Sequence, residues 1–479
     1  MIKTSSIVIL LALLYSCQST GEYYENAICI TNITTIDAKN GLKEHQNLVI
    51  KDGKITHVGH KDSLRFSSEN NIVEGKGKYL IPGLWDAHVH YAYQEELAPY
   101  MSDLFLYYGI TSLRDTGGEI EFMRKWKDLS VANPTTTPRL MIAGPLLDGM
   151  PNVYDGSSPG RPPLSQGLAS VAELKQYIDY LDSMGVDLLK AYEMLTPVQF
   201  KALMAKAKEK GLMVTGHIPL SMDVVSAVKE GLNSIEHMRN VEMSMAVNAK
   251  DLLRQRQLML ANGKNLQGGD LRAKIHQAQR IPAIDHPGKE NTRLVLEALA
   301  HYQVVQTPTI ALFKIPAYKE FMSDYWQESY RLLPDDQEEK WQAQMKAVND
   351  GPENVSRQRH YQWGKKTIGQ MHQAGIPFMA GTDTPIGFLT PGLSLHAEIA
   401  LYVEAGLSPL EALATATTAP AAYFNMEDEL GLITPGMWAD LLILDANPLE
   451  DIDNTRQINA VIKQGNYLNR EALREKLKQ

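Results

Sequence analysis

Six residues suited to metal binding or proton transfer close short apolar runs in this 479-residue chain: His88, His90, Lys190, His217, His237 and Asp383. His88 and His90 lie in Leu84-Trp85-Asp86-Ala87-His88-Val89-His90, an apolar stretch behind the Pro82-Gly83 turn that reads as a buried strand. Side chains alternate along a strand, so histidines two residues apart project to one face and can close on a single metal ion. A lone His-x-His is weak evidence; the four residues downstream give it weight. Lys190 follows Leu188-Leu189, His217 follows Val214-Thr215-Gly216, His237 follows Ile235-Glu236, and Asp383 follows Ala380-Gly381-Thr382. Imidazole nitrogens suit a borderline cation such as Zn²⁺, and an aspartate supplies a hard oxygen.

The elements that must position these residues repeat. Helix-like stretches over Val171–Gly185, Pro197–Gly211, Met222–Gly231 and Thr367–Gly375 each end near glycine and lead into one of the short strands. Helix, glycine and strand, with the polar residue at the strand's C-terminal end, is the pattern of an α/β fold of the (β/α)8 TIM-like barrel type, whose strand ends converge on one mouth. The barrel is expected over residues 83–425, with Gly109–Arg114 and Arg139–Ala143 as strands two and three and Gln303–Pro308 as strand seven. Segments 241–300 and 314–363 exceed what a βα unit needs and read as helical insertions near the mouth, acting either as a lid or as outer packing. Met243, Met245 and Met259 read as core residues. Residues 27–82 alternate short β-rich runs with turns, including the hairpin signal Asp52-Gly53, and 426–479 add Ala439–Asp445 and Ile458–Gln464. Neither end can hide its apolar face alone, so a small β-sandwich built from both is expected.

Together these pieces resemble the amidohydrolase superfamily of metal-dependent hydrolases. Within it the chain is most similar to the prolidase-like branch, which includes imidazolonepropionase relatives and zinc dipeptidases acting on Xaa-Pro, Xaa-Arg and Xaa-Lys peptides. The resemblance rests on His88-x-His90, the Gly185-to-Lys190 run, Gly216-His217, Ile235-Glu236-His237 and Ala380-Gly381-Thr382-Asp383. Gly109–Gly118, Ser394–Glu398 and Gly436–Leu441 also match, and the likeness extends from about residue 27 to about 465, weakest between 241 and 300. It implies two divalent metal ions, with zinc the expected metal. His88, His90 and Asp383 would take one and His217 and His237 the other. N6-carboxylated Lys190 and a hydroxide would bridge them. Lysine cannot ligate as an ammonium, so Lys190 would first have to react with CO₂. The alternative is a cationic Lys190 that binds a substrate carboxylate beside a single metal. Asp383 would act as general base and then acid.

Further candidates surround this set. Tyr192, two past Lys190, faces the same side and would donate to a developing oxyanion or pack at the rim. Arg114 would bind a substrate carboxylate or form an internal salt bridge, and His396 would reach the pocket or cap a helix. Asp86 would orient a ligand histidine. His45, His57, His60, His276, His286, His301, His360 and His372 read as solvated. The function expected is cleavage of amide bonds in dipeptides or N-acyl amino acids. Two alternatives stand beside it: a lactonase or phosphotriesterase-like ester hydrolase on the same metals, and a non-catalytic surface lipoprotein that binds metal or a ligand.

Composition sets outer limits. Hydrophobic content of 44% and charged content of 22% are those of an ordinary globular enzyme, and a net charge of −9 argues against a nucleic-acid partner. Lys3, the apolar run Ile7–Leu14 and Ser16-Cys17 read as a signal peptide over 1–16. Leu14-Tyr15-Ser16-Cys17 resembles a bacterial lipoprotein processing site, with acylated Cys17 and a polar tether over 17–26 holding the exported protein at a membrane, facing periplasm or cell surface. Secretion with cleavage nearby is the alternative. Cys29 then stands alone, as a packed thiol in a buried strand. A small-molecule or dipeptide substrate is the expected partner, and homo-oligomerisation is left open.

Overall fold

The computed structural model describes residues 22–24, 26–60, 64–66, 71–158 and 160–478. The expected signal segment 1–16 and Cys17 lie outside the described residues. Within the expected tether, Glu22–Tyr24 pairs in parallel with Leu64–Phe66.

Seven parallel strands follow one another around a barrel: Leu84–Val89, Ile110–Asp115, Arg139–Ile142, Leu188–Ala191, Met213–Gly216, Ser234–Glu236 and Val305–Thr307. Strands one to three form one ladder and four to seven another. Between them, Asp187 N–H donates to Ile142 O at 2.9 Å, and Leu146–Asp148 continues strand three beside strand four. Residues 376–384 fill the eighth position without a continuous ladder, since Pro377 has no N–H to give. They are tied on both sides nonetheless. Met379 N–H donates to Gln306 O, Ala87 N–H to Ala380 O, and Asp383 N–H to His88 O at 2.8 Å. Gly381 permits this approach, because a Cβ there would lie 2.8 Å from His88 N. The first two strands are buried along their whole length, as parallel strands covered on both faces must be.

Local signals fix the helices between strands. Thr196 and Gln199 form a capping box at the start of Pro197–Lys210, and Gly211, at φ +70°, ends that helix in the left-handed conformation. Phe200, Leu203 and Ala207 turn its apolar face to the barrel core. The first insertion is helical over Val241–Met245, Ala249–Asn262, Gly268–Asp285 and Lys289–His301. The second includes Asp324–Tyr330, Asp335–Asp350 and the long Val355–Gln373. Met243 and Met245 are buried, as expected of core methionines.

The two chain ends build one eight-stranded sheet. Leu441–Leu444 pairs antiparallel with Tyr79–Pro82, which also pairs with Ile28–Asp37. One core is shared by Ile30, Leu48 and Ile55 from one end and Leu441, Ile443 and Ile462 from the other. Cys29 packs apart from it, with Ala27 and Val49, and burial pushes its thiol up to about 11. Lys463 Nζ donates to both oxygens of Asp440, at 2.9 and 3.1 Å, and Arg139 of barrel strand three reaches the same carboxylate at 3.1 Å.

Candidate metal centre

All six sequence-selected residues line one cavity at the C-terminal ends of the barrel strands, and Tyr192 lines it with them. Asp383 Oδ1 lies 3.2 Å from His88 Nε2 and 3.1 Å from His90 Nε2, and Oδ2 lies 3.8 Å from His237 Nε2. The two nitrogens of His88 and His90 are 3.3 Å apart. A single proton cannot satisfy two ring nitrogens and a carboxylate oxygen grouped this closely, whereas a divalent cation can. The His217 and His237 rings stand edge to face with centroids 4.9 Å apart. His237 (φ +58°) and Asp383 (φ +67°) both take the left-handed backbone region, which non-glycine residues rarely occupy outside tight turns and functional sites.

Each histidine is oriented through Nδ1. That of His88 meets Glu236 Oε2 at 2.5 Å, that of His90 Gly117 O at 3.0 Å, that of His217 Glu193 Oε1 at 2.7 Å, and that of His237 Thr309 Oγ1 at 2.6 Å. With Nδ1 committed, Nε2 is the nitrogen each ring offers to a ligand. Burial, acting first, holds His88, His217 and His237 below the usual histidine range, in the neutral form that ligates. In His90 burial acts the same way, but the hydrogen bond and charge of Asp383 outweigh it and raise the ring. Burial opposes ionisation of Asp383, but the facing histidines His237, His88 and His90 keep its carboxyl well below the usual range.

Lys190 is 1% exposed, and its Nζ has no hydrogen-bond partner among the described residues. Burial lowers its amine to about 8, with Arg114 adding to the effect and Glu236 opposing it. An ammonium this buried, with no anion among the described residues in hydrogen-bond reach, is unfavourable, while the neighbouring His88, His90 and Asp383 are a donor set suited to a divalent cation.

Several expectations resolve here. Of the two for Arg114, the internal salt bridge holds and the substrate contact does not: its Nη2 donates to Glu236 Oε1 at 2.8 Å and to Thr307 Oγ1 at 3.1 Å, fully buried. The ion pair completes a chain from Arg114 through Glu236 to His88. His396 does not reach the cavity. Its helix turns it toward the C-terminal segment, with Nδ1 2.9 Å from Thr455 Oγ1 and Nε2 2.9 Å from Tyr108 O, and burial lowers it to about 3. Asp86 binds Thr382 Oγ1 at 2.7 Å and the backbone N–H of His88 at 3.2 Å, so it holds the ligand-bearing backbone rather than an imidazole. Two histidines expected in solvent are buried: His276 Nε2 meets Glu193 Oε2 at 2.6 Å, and the His360 ring packs 4.4 Å from Phe313. The orienting roles of Glu193, Glu236 and Thr309 went unread. A charged residue inside an otherwise apolar strand end was the available signal for the two glutamates.

Two family models described as "Amidohydrolase family" match residues 79–307 and 333–468. The chain belongs to the amidohydrolase superfamily. An imidazolonepropionase of Pyrobaculum arsenaticum is 40% identical over 81 residues, which is 17% of this amidohydrolase and 20% of that protein. Matches to curated relatives are local, spanning 12% of an adenine deaminase from Clostridium perfringens that is 34% identical over 67 residues, 14% of this chain. Solved structures match along nearly the whole fold. A Xaa-Pro dipeptidase with bound methionine superposes with TM-score 0.64 at 18% identity, over 93% of this chain and 100% of that one. A bottromycin amidohydrolase gives 0.69 at 19% identity, over 94% and 88%. The barrel with its added β-domain is therefore the fold shared with these proteins.

Proposed function

We propose that this amidohydrolase cleaves the amide bond of dipeptides or N-acyl amino acids at a two-metal centre. Metal-dependent hydrolysis of C–N bonds follows from the family; the paired ions and the amide substrate are what we add to it. The observation that carries it is Lys190 Nζ, buried and without a partner, in one cavity with four Nε2-presenting histidines and Asp383. His88, His90 and Asp383 would hold one ion, His217 and His237 the other, and carboxylated Lys190 both. In forming that carbamate the neutral amine attacks CO₂, a new N–C bond forms, and one proton leaves. A buried neutral amine thereby becomes an anion.

When bound, the ions polarise the scissile carbonyl and make water acidic enough to supply the nucleophile near neutral pH. Asp383, ionised and facing the histidines, accepts the proton that the attacking water gives up and returns it to the departing nitrogen as the C–N bond breaks. Tyr192, whose hydroxyl burial keeps protonated far above the ordinary range, is a hydrogen-bond donor for the carbonyl oxygen.

The test is amine release from pooled L-dipeptides and N-acyl amino acids by the Zn²⁺-loaded protein, with metal counted per chain. A focused set of hits with two ions bound is the expected result, and Asp383→Asn should abolish turnover while the protein stays folded. Two bound ions with lactones hydrolysed and amides untouched would overturn the amide reading.

A further inference from the structure

One wall of the cavity carries more positive charge than its carboxylates neutralise. Arg239, two residues past His237, and Arg272, from the helix Gly268–Asp285, both line the cavity beside Tyr154 and Tyr192. Arg280 and Arg256 stand behind them. Glu193 and Glu242 are the carboxylates that face this group. Glu193 is already occupied: Oε1 accepts from Arg272 Nε at 2.8 Å and meets His217 Nδ1 at 2.7 Å, while Oε2 meets His276. Glu242 Oε1 accepts from Arg280 Nε at 3.3 Å.

Arg239 Nε lies 3.7 Å from Glu193 Oε1 and has no hydrogen-bond partner among the described residues, although only 11% of the side chain is exposed. Arg256 Nη2 and Arg280 Nη2 are likewise buried without partners. Four guanidinium groups thus share two carboxylates. The crowding is felt at Arg280, which burial, then Arg239, brings down to about 10. Buried guanidinium donors left unmatched are unfavourable, and a planar two-oxygen anion is the partner their geometry fits.

We propose that Arg239 and Arg272 form a subsite for a substrate carboxylate, on the His217 and His237 side of the centre. This rests on the amide-hydrolase reading and assigns the residues that would hold the substrate's carboxylate. The carboxylate is either the free C-terminal group of the amino acid being released or an acidic side chain. Neutral esters and lactones offer neither.

The experiment uses the Zn²⁺-loaded full chain and matched probes: dipeptides with free or N-methylamidated C-termini, and N-acetyl-glutamate against N-acetyl-glutamine. Arg239→Gln should lower kcat/KM for the preferred acid by about 100-fold, mainly through KM, and change the neutral counterpart little. Arg239→Lys should fall between. Arg272→Gln should also lower kcat, because it releases Glu193 and with it His217. Loss on C-terminal amidation identifies the α-carboxylate; preference for glutamate over glutamine identifies the side chain. Equal turnover within both pairs, or equal losses on both members of each pair in Arg239→Gln, overturns the subsite. Calorimetric binding of N-acetyl-glutamate and N-acetyl-leucine to metal-loaded Asp383→Asn separates the two readings. Arg239-dependent binding without amide turnover in the wild type leaves the subsite standing and removes the amide reading. Binding that Arg239→Gln does not weaken removes the subsite.

Discussion

Lys190 and Lys463 are both buried, and burial, acting first, lowers each amine to about 8. Their surroundings part there. Lys463 Nζ sits 2.9 and 3.1 Å from the oxygens of Asp440, inside the sheet built from the chain ends. Lys190 Nζ has no hydrogen-bond partner and faces four histidines and an aspartate. The first lysine is an ion-pair link between a C-terminal strand and a carboxylate that Arg139 of the barrel also holds. The second is a nitrogen for which the fold supplies no anion. Burial alone does not mark a functional lysine; burial without a counter-ion, among ligand groups, does.

Substitutions can break this contrast or sharpen it. Lys190→Ala is expected to have the largest effect, lowering turnover by about 1,000-fold or more with little change in thermal stability, since it would remove the proposed bridge and not a packed ion pair. Added propionate should restore part of the rate; full activity in Lys190→Ala would end the bridging role. Lys463→Met should do the reverse. It leaves Asp440 buried with Arg139 alone, and urea unfolding should register a loss of about 3 kcal/mol while turnover per folded molecule is retained. A fall in turnover would mean that the sheet speaks to the mouth of the barrel.

Chelation comes next. Stripping the metal-loaded wild type should lower Tm by about 5 °C, as loss of a ligand that binds only the native state does, and Lys190→Ala should show a smaller drop. Equal drops would detach Lys190 from the metals.

The smallest effect is in pH. Burial raises the Asp440 carboxyl, but Lys463 and Arg139 outweigh it and hold it below its usual value. Stability from a depressed carboxyl is full above its unfolded pKa of about 3.9 and is lost as pH falls through the folded value. The advantage of wild type over Asp440→Asn in urea should therefore shrink by about 0.5 kcal/mol between pH 7 and pH near 3.5, and further as pH falls through the folded value. An advantage independent of pH would show that shape, not charge, holds that position.

Much of the barrel was legible because strand ends are apolar and the residues closing them are not. A histidine or aspartate after Leu-Leu or Ala-Gly stands out, and the glycine before each strand announces where the helix stopped. The eighth segment was found the same way, although Pro377 leaves it without a regular ladder. The orienting partners were harder. Alternation along Leu113-Arg114-Asp115 says that neighbours face opposite sides, but not that Arg114 turns under His88 to meet Glu236, a contact across 122 positions. Arg272 and His276 were harder still. They sit in a long polar helix whose sequence does not say which face meets the barrel, and their partner Glu193 lies on another strand end. The metal-binding half of the site is written in short strands; the substrate-facing half depends on how an insertion docks.

The sheet shared by the two chain ends also ties the candidate site to a distant stretch of sequence. Only Gly83 separates Tyr79–Pro82 from the strand that carries His88, and Gly83 N–H donates to Asp440 O at 2.7 Å. The other neighbour of Tyr79–Pro82 is Leu441–Leu444. A chain cut before Asp440 therefore leaves Tyr79–Pro82 with an open edge and Gly83 without its acceptor. The segment that leads into the first two candidate metal ligands is thereby anchored by residues more than 300 positions downstream.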